Sequence, residues 1–229
     1  MTLPEIYRKS PDAIQSYDSI DFATGAGIIN FYAGESQNSG ALAYSLSRNP
    51  FYSREITSGA YLKTGHVPEF QSVFNKNFET VFSKTFVMQG PCLVTIPVGM
   101  ENTNALGTLS GAVAATLYKV DGVTGTATEI APVVSGAVMT IVNAVSSLQR
   151  AETLVFDNIP ATTFKEKDIL RLNVNLIEVG ISTGGSAQFI TVGLGMDPKN
   201  RAETRFFSGA FSNSHPTELV LQVPFKINT

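Results

Sequence analysis

A chain of 229 residues can bury a full core in one domain, and its 43% apolar share is ordinary. Only 15% of its residues are charged, against about a quarter in soluble domains, so Ser, Thr, Asn and Gly supply the polar surface instead. A net charge of -3 with no Lys or Arg run offers no field for phosphates, which argues against nucleic acid as a partner, and one cysteine excludes a disulfide framework.

Met1-Thr2-Leu3-Pro4-Glu5 lacks the basic start and apolar core of a secretory signal, which points to synthesis in a reducing cytoplasm. Residues 1–25 mix Tyr7, Tyr17, three aspartates and two prolines without helical or strand periodicity. They read as an extended arm, with a single domain over 26–229. Ile28-Ile29-Asn30-Phe31-Tyr32 is the first strand signal, rich in branched and aromatic residues.

The segment 34–68 is dense in Gly, Ser, Asn and Tyr, with turn signals at Asn49-Pro50, Ser58-Gly59 and Thr64-Gly65. It reads as a long loop system with one short strand near 52–57. Phe70, Phe74 and Phe78 fit helical spacing, whereas Phe78, Thr80 and Phe82 fit alternation, and strand is expected from Asn77 onward.

Alternation then dominates. Cys92, Val94, Ile96 and Val98 share one face, and a second strand spans 111–120. Asp121-Gly122-Val123-Thr124-Gly125 supplies a short hairpin loop that returns the chain through 126–130. Strands follow near 134–142 and 152–157. Between Glu129 and Arg150 there is no charge at all, yet Pro132, Gly136 and several Ser and Asn interrupt the run, so buried strands explain it better than a membrane span. Leu170, Leu172, Val174 and Leu176 oppose Arg171, Asn173 and Asn175 as a half-buried strand, and Ile190 to Met196 and Leu219 to Ile227 repeat the pattern. Gly184-Gly185 reads as a hairpin tip joining strands near 170–179 and 187–196. The sum is an all-β, jelly-roll-like antiparallel β-sandwich of roughly ten strands.

Residues that could carry chemistry are sparse. Cys92 sits in an apolar stretch and reads as a buried core thiol. His66 and His215 lie in loop sequence with no nucleophile elbow, and one Cys with two distant His falls short of a zinc site. Glu69, Glu79, Glu152, Asp157 and Glu178 offer carboxylates, but nothing selects a pair flanking a cleft. Gly184-Gly185 lacks the lysine of a phosphate loop. Asp197-Pro198 forms a tight turn, and no second carboxylate stands at calcium-loop spacing to make Asp197 a cation ligand. These readings imply no catalytic residue, no cofactor and no metal, hence a chain that is not an enzyme.

Four segments carry a resemblance: Ala115-Thr116-Leu117-Tyr118-Lys119-Val120-Asp121-Gly122, Phe164-Lys165-Glu166-Lys167-Asp168-Ile169-Leu170-Arg171-Leu172, Met196-Asp197-Pro198-Lys199-Asn200-Arg201 and Val223-Pro224-Phe225-Lys226-Ile227. With Asp21-Phe22-Ala23-Thr24-Gly25-Ala26-Gly27 before the first strand, the chain resembles a family of small jelly-roll-like virion structural proteins of tailed phages. The resemblance implies a capsid decoration, cement or minor head protein located in the virion. Its partners would be the major capsid protein, other virion proteins and copies of itself, with a trimer about a local axis. An alternative is a tail or spike module that binds host-surface glycans or a receptor. Either role would place contacts on the aromatics of the arm and loops, namely Tyr7, Tyr17, Tyr44, Phe51, Tyr52 and Tyr61.

Overall fold

The computed structural model of the protein describes residues 26–38, 41–51, 56–63, 71–102, 107–142, 146–182, 188–197 and 218–226. The expected arm at 1–25, Tyr7, Tyr17, Tyr52, His66, His215 and Gly184-Gly185 lie outside them. No helix among the described residues is long and apolar enough to cross a membrane.

The described residues form twelve strands: β1 (Ala26–Asn38), β2 (Ala41–Ser47), β3 (Ile56–Lys63), β4 (Gln71–Val81), β5 (Phe86–Asn102), β6 (Thr108–Val120), β7 (Ala127–Ser135), β8 (Met139–Val142), β9 (Ser146–Phe164), β10 (Ile169–Ser182), β11 (Gln188–Gly195) and β12 (Leu219–Lys226). They belong to one hydrogen-bonded sheet folded into two layers. One layer runs β9-β5-β12-β1 and the other β4-β10-β6-β7, joined through β2, which makes a single parallel pair with β4 at Ser45 and Glu79. When the eight strands of these two layers are numbered in chain order, the layers run first-eighth-third-sixth and second-seventh-fourth-fifth. This interleaving is that of a jelly roll, and the sandwich expected from alternation is confirmed.

The core follows from the same alternation. Leu170, Leu172, Val174 and Leu176 of β10, Val94, Ile96 and Val98 of β5, and Leu219, Leu221 and Val223 of β12 are buried and face each other across the layers. On the outer side of β10, Arg171 Nε donates to Glu79 Oε1 at 2.6 Å, and the Asn173 amide reaches Asn75 and Asn77 of β4. One end of the sandwich is closed by phenylalanines: Phe82 stacks on Phe86 with ring centroids 4.8 Å apart, Phe82 meets Phe164 at 4.9 Å, and Phe86 meets Phe225 at 5.9 Å.

Several sequence expectations are corrected. The presumed loop system at 34–68 contains the rest of β1, all of β2 and β3, because residues 34–38 pair with β2 as a hairpin and β3 pairs with β11, which supplies what weak strand propensity does not. The fourth strand begins at Gln71, not Asn77. The strand near 134–142 is two strands, β7 and β8, lying end to end along β6. β10 and β11 do not form a hairpin: β10 pairs with β4 and β6, while β11 pairs with β3 and β5 in the other layer.

β5 serves both neighbours by bending. At Gly90 its φ is 110°, the register with β9 shifts on either side, and Pro91 gives no ladder hydrogen bond.

Candidate interaction surfaces

The turn after β9 is built around a buried carboxylate. Asp168 Oδ2 accepts from the Lys165 backbone N–H at 2.8 Å and lies 3.0 Å from Lys119 Nζ, while Oδ1 accepts from the Gly122 N–H at 3.1 Å. Its own carbonyl accepts from the Phe82 N–H at 2.9 Å, and Lys167 N–H donates to the Phe82 carbonyl at 2.8 Å. The chain makes these contacts by placing Lys167 at φ 73°, a left-handed conformation unusual for a residue with a side chain. The backbone N–H of Lys165, then the Lys119 ammonium and the Gly122 N–H, hold the Asp168 carboxyl down to about 2 against the opposing effect of its burial. Asp121 opens the neighbouring hairpin loop, where its Oδ1 accepts from the N–H groups of Thr124 and Val123 and from the Thr124 hydroxyl, and these bonds lower its pKa. Beside this hub a groove of about 600 Å³ runs between β7 and β9, lined by Thr126, Thr128, Thr162 and Thr163 among others.

The charge-free run between Glu129 and Arg150 is the second feature. It was expected to be buried, and the structure corrects this: its strands are half exposed. In β7, Ala131 stands opposite Leu117 and Val134 opposite Ala115, so Pro132 and Val133 together face Thr116 as a bulge. The bulge resets the alternation. Ala131 and Val134 pack toward the core while Val133 turns outward and is 60% exposed. Met139 and Ile141 of β8 point inward, which leaves Val142 59% exposed, and Val138 in the preceding turn is 50% exposed. Leu148 of β9 is also on the surface.

This flank is fastened to β9 by hydrogen bonds between Ala137 and an ion pair on that strand. Glu152 Oε1 accepts from the Ala137 N–H at 2.9 Å, its Oε2 lies 2.7 Å from Arg150 Nε, and Arg150 Nη2 donates to the Ala137 carbonyl. Gly136 passes so close that a Cβ there would collide with the Glu152 side chain.

Of the sequence-derived contact residues, Tyr44, Phe51 and Tyr61 are among the described residues. Tyr44 lies on β2, not in a loop; it is half-buried with its ring edge-on to Phe78 at 5.5 Å and Lys76 Nζ 4.4 Å from its centroid. Phe51 is half-buried, and Tyr61 lies on β3. Tyr7, Tyr17 and Tyr52 fall outside the described residues. Glu79 and Glu152 serve ion pairs, with Arg171 and Arg150. Cys92 is fully buried and its thiol is pushed up by that burial. Asp197 is fully buried, and Glu218 is raised by its own burial and then by the charge of Asp197, a proximity that spacing in the sequence did not reveal. Among the described residues, no three His, Cys, Asp or Glu gather as a metal site.

No protein family profile matches the chain, and no curated protein matches it. Solved structures do. A CocE/NonD family hydrolase from Staphylococcus aureus matches with 10% identity and a TM-score of 0.46 over 88% of this chain and 37% of its own. An aminopeptidase from a marine sediment Thaumarchaeota archaeon matches with 8% identity and a TM-score of 0.46 over 89% and 37%. A chain of infectious bursal disease virus, Gx strain, matches with 13% identity and a TM-score of 0.18 over 85% and 41%. This protein thus spans little more than a third of the hydrolases it matches. The expectation that the chain is not an enzyme is corrected by these hydrolase matches. At such identities and TM-scores the likeness assigns no activity.

Proposed function

We propose that this chain is a structural protein of a virus particle, a capsid decoration, cement or minor head protein that docks on its neighbours through the flank of β7, β8 and the start of β9. The observation that carries the reading is the outward-turned Val133, Val138 and Val142 in a stretch with no charge between Glu129 and Arg150. Exposed aliphatics without surrounding charge are costly on an isolated surface and favourable in a contact that removes them from water. The bulge at Pro132 keeps the same edge from adding a foreign strand, so the flank is suited to side-chain packing rather than ladder extension.

The resemblance in four segments supports the particle role. Two of these segments meet at Asp168, whose carboxylate binds both Lys119 and Gly122. On a shell, many weak contacts of this kind act together, since each bound copy raises the effective concentration of the next contact. The partners under this reading are the major capsid protein and further copies of the chain, with a trimer as the arrangement about a local axis.

The test is quantitative mass spectrometry of purified particles, alongside a variant carrying Val133→Lys, Val138→Lys and Val142→Lys. The reading expects a copy number in fixed proportion to the major shell protein, and loss of the variant from particles although it melts at the same temperature. Absence from particles, or full retention of the folded variant, removes it.

A further inference from the structure

We propose that a second cleft, at the opposite junction of the two layers, binds a sugar that bears a carboxylate. This site does not depend on the particle role. β2 and β4 run parallel and touch through one pair, Ser45 and Glu79. Beyond that pair the strands part, and the gap between the residues following β2 and the β4–β5 turn is a cleft of about 410 Å³. That lies at the small end of ligand pockets, which run from about 300 to 1,000 Å³.

The lining has three chemistries. Arg48 and Lys84 come from the two sides, and among the described residues no carboxylate lines the cleft although the chain as a whole is negative. Neither cation forms an ion pair among the described residues, whereas Lys119, Arg150 and Arg171 all do. The Arg48 guanidinium lies 5.9 Å from the centroid of the buried Phe31 ring, so an apolar floor supports the planar donor that suits a carboxylate. Phe86 and Val81 add apolar wall, and Asn49, Ser83 and Thr85 add donors and acceptors at the rim.

A bare inorganic anion would use the cations and leave the apolar wall idle; a neutral sugar would do the reverse. A ring with C–H faces, hydroxyls and one carboxylate uses all three. Sequence reasoning missed the site because Arg48 and Lys84 belong to different turns and form no run.

The experiment is calorimetric and NMR titration of the full chain with N-acetylneuraminic, glucuronic and galacturonic acids, with glucose and galactose, with acetate and inorganic phosphate, and with an acidic peptide. At least one sugar acid is expected to bind at millimolar concentration or below, with each neutral sugar weaker by roughly tenfold or more. Arg48→Gln and Lys84→Gln should each weaken that binding by about fivefold or more while the melting temperature holds. No binding of any sugar acid overturns the proposal, as does equal binding by neutral sugars, by acetate or phosphate, or tighter binding of the peptide. Sugar-acid binding that survives both substitutions also overturns it, since the ligand would then sit elsewhere.

Discussion

Lys119 Nζ lies 3.0 Å from Asp168 Oδ2, and through this pair the last turn of β6 is tied to the turn that launches β10. The carboxylate is nearly enclosed, so the ion pair and the N–H groups of Lys165 and Gly122 replace the water it gave up.

Acid should loosen this hub in a defined window. Asp168 is held at about 2, below its ordinary 3.8, so its contribution to stability is complete above the ordinary value and is lost as the pH falls toward about 2. Urea unfolding between about pH 6 and about pH 2 should show a steep fall below about pH 4 that is much reduced in Asp168→Asn. Asp168→Ala should cost about 2–3 kcal/mol at neutral pH, because it leaves the Gly122 and Lys165 donors and the Lys119 ammonium without their acceptor. A wild-type acid transition identical to that of Asp168→Asn would remove the assignment.

Gly122 is fixed by the same turn. A Cβ at this position would run into the Lys167 backbone carbonyl, and a main-chain obstacle cannot rotate aside as a flexible side chain can. Gly122→Ala should therefore lower stability by about 2 kcal/mol, whereas Gly125→Ala, where the added Cβ meets nothing, is penalised by its φ of 70° alone and by about 1 kcal/mol. Equal losses measured by chemical unfolding would show that close approach to Lys167 is not what selects Gly122.

The fold was legible where one face is buried and the other is wet. Leu170 to Leu176 against Arg171 and Asn173 is such a strand, and its inward set is indeed the core. The segment from Gly34 to Lys63 was not legible, since its Gly, Ser and Asn read as turns although residues 34–38 pair with the nearby β2, and the partner of β3, β11, lies far away in the chain. Gly184-Gly185 misled for a related reason: local turn chemistry does not say which layer the chain enters next. The outward Val133 depended on a bulge opposite Thr116, which shifts the phase of alternation without changing composition. Of the contact aromatics, Tyr44 shows the limit most plainly, because its ring serves Phe78 as much as solvent.

Cys92 should be inert in the native protein. It is fully enclosed opposite Phe156 of β9, and burial raises its thiol, so little thiolate forms to react. A thiol reagent at mildly alkaline pH should label it only after denaturant is added. Cys92→Ser should cost about 1–3 kcal/mol by burying a hydroxyl without a built-in acceptor, and Cys92→Ala less. Rapid native labelling would mean that β5 and β9 part far more readily than their long ladder implies.

The flank itself offers the last prediction. β7 and β9 lie side by side without a ladder between them, so the contact of Glu152 and Arg150 with Ala137 is what fastens the β7–β8 turn to β9. Glu152→Ala strips the Ala137 N–H of its acceptor and leaves the Arg150 guanidinium without its carboxylate. The global cost should be about 1–2 kcal/mol, since Arg150 retains partial access to water. The local effect should be larger, because among the described residues the Gly136 N–H bond to Val113 is the turn's one other backbone anchor outside the ladders. Hydrogen exchange at Ala137 and Val138 should accelerate well beyond what the global loss accounts for, while amides in β10 follow the global change. Glu152→Gln keeps an acceptor for Ala137 and should restore most of the protection. Were Glu152→Ala to leave exchange at Ala137 unchanged, the turn would be held by the packing of Met139 and Ile141 alone, and the valines beside it would owe their position to the core rather than to the ion pair.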